Sequence, residues 1–231
     1  MKTYKFYGDS FTYGQDSGGD GVHDQTKTWP MFWADLKGVE RHMVQNHAMP
    51  GHSNAGIWLD IFQDIVQGQI RDDSVVIVGL TNIWRDATAS STKPGYRQFF
   101  DNDYHSSNVH FIDGYKRDEQ ALRRHAEMLA DEENWMLAAK NIKTALSISE
   151  ILKRTGCEFY MVDVIMDWNM VTSYVPGAHK LFPELVHAPQ GSDFYSYQRE
   201  VLEWPLSDSL HFYEDGYKRM AEEIYAAMEK R

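Results

Sequence analysis

The sequence holds a single cysteine, Cys157, among its 231 residues. One thiol can form neither an internal disulfide nor a zinc site built from several cysteines. No uninterrupted apolar stretch approaches the roughly 18 residues that a membrane-spanning helix needs. The N-terminal segment MKTYKFY also lacks the apolar core of a secretory signal peptide. We therefore expect no membrane span, no Sec-dependent export, and a protein that is cytoplasmic or released without a signal peptide.

Basic residues are scarce as well. The chain has 23 lysines and arginines against 34 aspartates and glutamates, which gives a formal net charge of −11. An acidic protein repels a phosphate backbone unless it carries a local basic patch. The pairs Lys116-Arg117 and Arg123-Arg124 are short and lie among acids. We therefore expect no nucleic-acid partner.

Strand-like and helix-like segments alternate along the chain, and we see no internal repeat. The continuous β-branched run Val75–Val78 is typical of a strand buried on both faces of a parallel sheet. This alternation predicts an α/β fold with a mostly parallel sheet, formed by one domain over residues 1–231. We predict strands at 4–8, 41–48, 75–78 and 157–165. We predict helices at 29–36, 133–154 and 215–228, and a further helix that follows an N-cap at Asn54.

Two long stretches, at about 85–128 and 168–207, do not fit this alternation. Both are polar and rich in aromatic residues. Long loops in a compact domain often carry function. Here they follow predicted strands, at the edge where open α/β sheets bind ligands. We therefore predict two inserts beside the functional site.

Candidate catalytic residues stand at the two ends of the chain. Gly8-Asp9-Ser10 ends the first predicted strand, which is a suitable position for a serine nucleophile, although a capping or turn serine has the same pattern. Such a serine needs a base, and the base needs an acceptor that orients it. Asp208 and His211 lie three residues apart, a spacing that in a turn can bring the carboxylate to the imidazole Nδ1. The alternative is a capping aspartate beside a surface histidine.

Two further turns offer hydrogen-bond donors for an oxyanion. Gly51 lies in the segment 46–54, between the second predicted strand and a helix. A glycine there permits an unusual backbone conformation, and its N–H could donate to the oxyanion. Asn82, which closes the third strand, could offer its side-chain amide. The alternatives are a plain turn and a strand-end cap.

In this order, the four clusters resemble the motif blocks of the SGNH (GDSL) hydrolase family. The blocks are Gly8-Asp9-Ser10, then Asn46-x-Ala48-x-x-Gly51-x-Ser53, then Asn82, and finally Asp208-x-x-His211 with Gly216 five residues later. The third block departs from the usual Gly-x-Asn of the family. Its glycine, Gly79, stands one position early, and Leu80 takes the usual glycine position.

The resemblance implies a flavodoxin-like three-layer α/β/α sandwich and hydrolysis of esters through an acyl-enzyme, without a metal or an organic cofactor. In that mechanism Ser10 attacks the acyl carbon and His211 takes its proton. Asp208 holds the His211 tautomer and stabilises the imidazolium. The backbone N–H groups of Ser10 and Gly51, together with the side chain of Asn82, form the oxyanion hole.

Aromatic and polar residues alternate in both predicted inserts, and aliphatic residues are sparse there. This composition suits a sugar better than a long acyl chain, which needs a continuous aliphatic lining. We therefore expect a small-molecule or glycan ester as substrate, and we favour an acetylated carbohydrate. Trp84 and Tyr104 are the expected substrate-binding residues. The simpler alternative is that the rings pack the inserts onto the sheet. Nothing in the sequence indicates an oligomeric state.

Three other functions use the same residues or the same fold. An acyltransferase would replace water with a sugar hydroxyl, and a lipolytic esterase would take longer acyl chains. A non-catalytic carbohydrate-binding or structural protein would keep only the fold. The presence of Ser10, Asp208 and His211 together argues against this last alternative, because a binding module does not need all three.

Two groups of residues in the sequence are potential metal ligands. The first is a set of histidines spaced by five, His42, His47 and His52. An odd spacing alternates faces on a strand, so these residues do not predict a metal site. The second is a set of aspartates in a glycine-rich loop, Asp16, Asp20 and Asp24. They miss the EF-hand spacing for calcium, and a solvated acidic loop is the favoured interpretation.

Overall fold

The computed structural model describes residues 2–82, 134–166, 168–183 and 185–230. Within these residues one sheet holds five parallel strands in the order β2-β1-β3-β4-β5. The strands are β1 (Thr3–Tyr7), β2 (Val44–Asn46), β3 (Ser74–Leu80), β4 (Glu158–Asp163) and β5 (Leu185–Val186). The α/β class and the parallel sheet predicted from the alternation are confirmed.

Helices connect the strands. They are α1 (Ser10–Tyr13), α2 (Trp29–Lys37), α3 (Asn54–Val66), α4 (Asn134–Thr155), α5 (Trp168–Tyr174), α6 (Phe194–Ser196), which continues into a π-helical turn (Tyr197–Val201), and α7 (Glu214–Glu229). Among the residues described, no helix has the length and apolar character needed to cross a membrane.

The core consists of two layers, one on each face of the sheet. Every residue of β3 is buried, and its successive side chains point to opposite faces. Val75 and Ile77 join the cluster that includes buried residues of α2 and α7. Val76 and Val78 join the cluster that includes buried residues of α3 and α4. Burial on both faces explains why this strand is apolar throughout, and it gives the three-layer α/β/α arrangement.

Helix α3 begins at Asn54, and its N-cap is Ser53 rather than Asn54. The Ser53 hydroxyl accepts a hydrogen bond from the Gly56 N–H at 3.3 Å. Asn54 instead holds the backbone of Thr81: its Nδ2 donates to the Thr81 carbonyl at 2.9 Å, and its Oδ1 accepts from the Thr81 N–H at 3.0 Å. The predicted N-cap was therefore wrong by one residue, because Asn54 connects the start of α3 to the end of β3.

The stretch 168–207 is not wholly an insert, because it supplies β5 at one end of the sheet. A two-residue strand is too short to produce a periodic pattern, so the sequence did not reveal it. Trp168, Phe194 and Tyr195 are buried in the core, which supports the packing alternative for these three rings. The other predicted insert, 85–128, lies outside the described residues.

Candidate active site

The candidate residues meet at one edge of the sheet. In a parallel sheet the carboxyl ends of all strands lie on the same edge. Ser10 follows β1, Gly51 follows β2, and Asn82 follows β3. The sheet order puts β1 between β2 and β3, so these three segments are direct neighbours.

Ser10 is the first residue of the short helix α1. Asp9 caps this helix by accepting a hydrogen bond from the Phe11 N–H at 3.0 Å. The other Asp9 oxygen accepts from the Thr81 hydroxyl at 2.7 Å, which ties the turn after β1 to the end of β3. Ser10 is only 2% exposed. Within the described part of the chain, its backbone N–H meets no acceptor.

His211 lies against this serine. The Ser10 Oγ and the His211 Nε2 are 2.7 Å apart, a hydrogen-bond distance, although the two residues are 201 positions apart in the chain. The histidine is fully buried, and the Phe11 ring lies 4.6 Å from its ring, centroid to centroid. The structure thus brings together the nucleophile and the base proposed from the sequence.

Asp208 does not reach His211. The segment 207–211 is a tight turn in which the Leu210 N–H donates to the Ser207 carbonyl at 3.0 Å, and the Ser207 N–H donates to the His211 carbonyl at 2.8 Å. In this turn the Asp208 side chain is exposed to solvent. No hydrogen bond or ion pair joins it to His211 in the described structure. The spacing allowed the contact, but the turn directs the carboxylate away.

The His211 Nδ1 instead meets the hydroxyl of Ser209, at 2.8 Å from its Oγ. That hydroxyl donates to Oδ2 of Asp16, and the Ser207 hydroxyl donates to the same oxygen at 2.6 Å. Oδ2 of Asp16 is 4.0 Å from the His211 Nδ1. The sequence predicts Asp16 only as part of a solvated acidic loop, because its serine partners are about 190 residues away.

The Asp16 carboxylate has an unusual environment. Its burial alone would raise the pKa of this carboxyl. The hydrogen bonds from Ser207, Ser209 and the Gly21 N–H, together with the nearby His211, outweigh the burial and hold the pKa of Asp16 below its ordinary value. An ionised carboxylate therefore lies beside the candidate base at neutral pH.

The other aspartates of this loop have separate roles. Asp24 accepts from the N–H of Thr26 at 2.9 Å and caps a short 3₁₀ turn. Asp20 accepts from the Tyr213 hydroxyl at 2.8 Å. Across the described ranges, no group of three or more histidine, cysteine, aspartate or glutamate residues is arranged to hold a metal ion.

Gly51 has a left-handed backbone with φ of 79°. A side chain there would meet no atom within 4 Å, so the conformation, rather than lack of space, favours glycine. The preceding loop runs beside β1, since the Met49 N–H donates to the Gly8 carbonyl at 3.1 Å. As far as the structure describes the chain, the Gly51 N–H has no acceptor. It lies at the same edge of the sheet as Ser10.

The end of β3 explains the displaced glycine. A Cβ on Gly79 would lie 2.5 Å from the Thr12 Oγ1, and one on Gly8 would lie 2.3 Å from the same atom. Both glycines therefore make room for the buried Thr12 side chain. Asn82 is half-buried and follows Thr81, whose backbone is held by Asn54.

A second histidine–carboxylate pair lies at this edge. The His187 Nδ1 is 3.2 Å from Oδ2 of Asp163, at the end of β4. Asp163 is fully buried, and this burial raises the pKa of its carboxyl despite the histidine. The sequence patterns did not indicate this pair. Trp84 and Tyr104, the predicted substrate-binding residues, lie outside the described residues.

No protein-family model and no curated protein matches this chain. Among solved structures, it is similar to the psychrotrophic esterase EstA from Pseudoalteromonas sp., with 12% identity and a TM-score of 0.55 over 99% of this chain and 97% of that one. A member of the lipolytic protein G-D-S-L family from Veillonella parvula DSM 2008 has 14% identity and a TM-score of 0.55 over all of both chains. The acetyl xylan esterase AlAXEase has 13% identity and a TM-score of 0.52 over 98% of this chain and 99% of that one. The likeness shows that the chain has the SGNH (GDSL) hydrolase fold.

Proposed function

We propose that this protein is a serine ester hydrolase in which Ser10 is the nucleophile and His211 the general base. The observation that carries this proposal is the 2.7 Å hydrogen bond between the Ser10 Oγ and the His211 Nε2. Both residues are buried at the carboxyl edge of a parallel sheet, where folds of this type bind ligands. A hydroxyl and an imidazole in contact at such an edge are the elements of nucleophilic catalysis.

The reaction follows from these two groups. His211 takes the proton of Ser10 as the Ser10 oxygen attacks the acyl carbon, and it returns the proton to the leaving alcohol. Water then repeats the sequence on the acyl-enzyme. The N–H groups of Ser10 and Gly51, which meet no acceptor in the described structure, are the donors we assign to the oxyanion. The Asn82 amide is the third donor in this proposal.

For the substrate we propose short acyl esters, most of all acetyl esters of carbohydrate. The aromatic and polar composition of the stretch 85–128 supports this class, with Trp84 and Tyr104 as the residues that would contact the sugar. A similar fold in an acetyl xylan esterase is consistent with it. The similar fold in a lipolytic G-D-S-L protein favours a lipolytic esterase as the second candidate.

A fluorophosphonate probe tests the nucleophile. We choose a phosphonate reagent because the similar EstA structure is that of an esterase inhibited by monoethylphosphonate. The probe should label the wild-type protein once, at Ser10, and S10A should lose both the label and the hydrolysis of p-nitrophenyl acetate. S147A is the matched control, because Ser147 lies on α4, where its hydroxyl donates to the carbonyl of Lys143 at 2.8 Å. Labelling or turnover that persists in S10A contradicts the assignment.

Chain-length preference tests the substrate class. Acetyl and butyryl p-nitrophenyl esters should be cleaved far faster than octanoyl esters, and acetylated saccharides should release acetate. Fast cleavage of long-chain esters without acetate release from any acetylated saccharide would select the lipolytic candidate.

A further inference from the structure

The Asp16 carboxylate is the common acceptor for two serine hydroxyls beside His211. Its Oδ2 accepts from Ser207 and from Ser209, while its Oδ1 accepts from the Gly21 N–H at 2.9 Å. Asp16 is 2% exposed, so solvent does not compete for these bonds. All three donors hold the carboxylate in one orientation.

The hydrogen atoms in this cluster can be counted. An ionised carboxylate has no hydrogen to give, so the Ser209 hydroxyl must direct its only hydrogen to Asp16. The Ser209 oxygen can then meet the His211 Nδ1, 2.8 Å away, only as an acceptor. Nδ1 therefore carries a hydrogen, and Nε2 has a free lone pair. That lone pair faces the Ser10 hydroxyl, as a general base requires.

The backbone of His211 is held by the same carboxylate. The His211 N–H donates a hydrogen bond to the Ser207 Oγ at 3.1 Å. The Ser207 hydroxyl in turn donates a hydrogen bond to Asp16. Asp16 and Leu210, on either side of the cluster, are two of the three non-glycine residues with positive φ in the described chain, at 62° and 66°. Such conformations cost free energy and persist where the surrounding contacts maintain them.

We propose that Asp16 is the positioning carboxylate for His211, that it acts through the Ser209 hydroxyl, and that Asp208 does not serve this role. The proposal rests on the proposed function, because it concerns the base of that reaction. Asp16 selects the productive tautomer of His211 before the reaction. When His211 takes the Ser10 proton, the negative charge 4.0 Å from Nδ1 favours the imidazolium. Ser209 keeps its own hydrogen throughout.

The first test is D16N, a substitution of nearly the same shape. Asparagine tolerates positive φ, so the loop conformation is retained. Its neutral amide can also donate to Ser209, which would let that hydroxyl turn its hydrogen toward Nδ1 and favour the wrong tautomer. We expect kcat/KM for p-nitrophenyl acetate to fall by roughly 10²-fold or more. The acid limb of the pH–rate profile should move to lower pH, because the imidazolium loses its charged partner.

Ser209 provides an independent pair of variants. S209A removes the bridging hydroxyl and should reduce kcat/KM substantially, whereas S209T keeps a hydroxyl and should stay within about fivefold of wild type. The kcat/KM of the double variant D16N/S209A should be little lower than that of the less active single variant, because both residues act through one chain of hydrogen bonds. D20N is the matched carboxylate control, since Asp20 lies in the same loop, is exposed and bonds to Tyr213.

Three results would overturn the proposal. These are a D16N activity within threefold of wild type, a loss in D208N that exceeds the loss in D16N, and a D16N acid limb that does not move although the activity falls. Should D16N fail to fold by circular dichroism, the S209A and S209T pair decides: equal and near-wild-type activity in both overturns the proposal. Activity that persists in S10A refutes the esterase mechanism itself, whereas an inactive S10A with a fully active D16N refutes only the role of Asp16.

Discussion

At the scale of single residues, the buried Thr12 side chain determines where glycine is needed beneath the site. The Thr12 Oγ1 has no hydrogen-bond partner in the described structure and lies between Gly8 and Gly79. Gly79, the glycine that departs from the family pattern, therefore makes room for Thr12, whereas Thr81, the residue before Asn82, is held by hydrogen bonds with Asn54.

Gly79 provides a prediction on stability. In G79A the new methyl group would lie 2.5 Å from the Thr12 Oγ1 and 3.0 Å from the Val164 Cγ2. Overpacking of this kind costs typically about 1–3 kcal/mol. We expect the urea midpoint of G79A to fall accordingly, and T12A in the same chain to restore part of the loss by removing the clashing oxygen. A G79A protein as stable as wild type would contradict this packing account.

At the scale of elements, a polar cluster joins β1, β2 with the loop that follows it, and α3. The Lys5 Nζ donates to Gln45 at 2.6 Å and lies 3.4 Å from the His47 Nε2. Asp64 on α3 accepts from the Tyr7 hydroxyl at 2.5 Å and lies 3.6 Å from the His47 Nδ1. This cluster contributes no group to the proposed reaction. Because it contains His47, the stability of the contacts among these elements depends on pH.

His47 predicts the direction of that coupling. Burial, and then the positive charge of Lys5, lower the pKa of His47, and the attraction to Asp64 only partly offsets them. Because the folded-state pKa lies below the unfolded value of about 6.5, the protonated histidine favours unfolding. The contribution of His47 is thus present above about pH 6.5 and is lost as the pH falls through its folded-state pKa.

Urea unfolding at pH 7.5 and at lower pH measures this effect. H47Q should flatten the pH dependence of the free energy of unfolding across that window. H42Q is the matched control, because His42 is exposed and pairs with the exposed Glu40. An unchanged pH dependence in H47Q, or an equal change in H42Q, would contradict the role of His47.

At the scale of the whole molecule, the site is assembled from the two ends of the chain. Ser10 comes from the start of α1, Asp16 from the loop after α1, and His211 from the turn before α7. The buried contacts among them cannot survive separation of the sheet from α7. We expect the proposed esterase activity and the far-ultraviolet circular dichroism to be lost in a single urea transition with one midpoint. A loss of activity at clearly lower urea would show that the site loops open independently of the sheet.

The sequence alone predicts the repetitive parts of this protein. The apolar run at Val75–Val78 and the period of about 3.6 in α7 follow from local burial on two faces or on one. The prediction of β3 and α7 needed nothing beyond their own residues. Ser10 and His211 could be proposed because Ser10 follows a predicted strand and His211 lies in a turn ahead of a predicted helix, each in a motif block that resembles a known family.

The tertiary structure decided what depends on distant neighbours. The two-residue strand β5 forms by pairing with β4. Asn54 does not cap α3, because its side chain binds the backbone of Thr81. The choice between Asp208 and Asp16 is of the same kind. Asp208 lies only three residues before His211 in the sequence, but the turn at 207–211 exposes the Asp208 carboxylate to solvent. The buried place beside Ser209 is instead filled by Asp16, from a loop about 190 residues earlier, and no local pattern predicts a contact between segments so far apart in the chain.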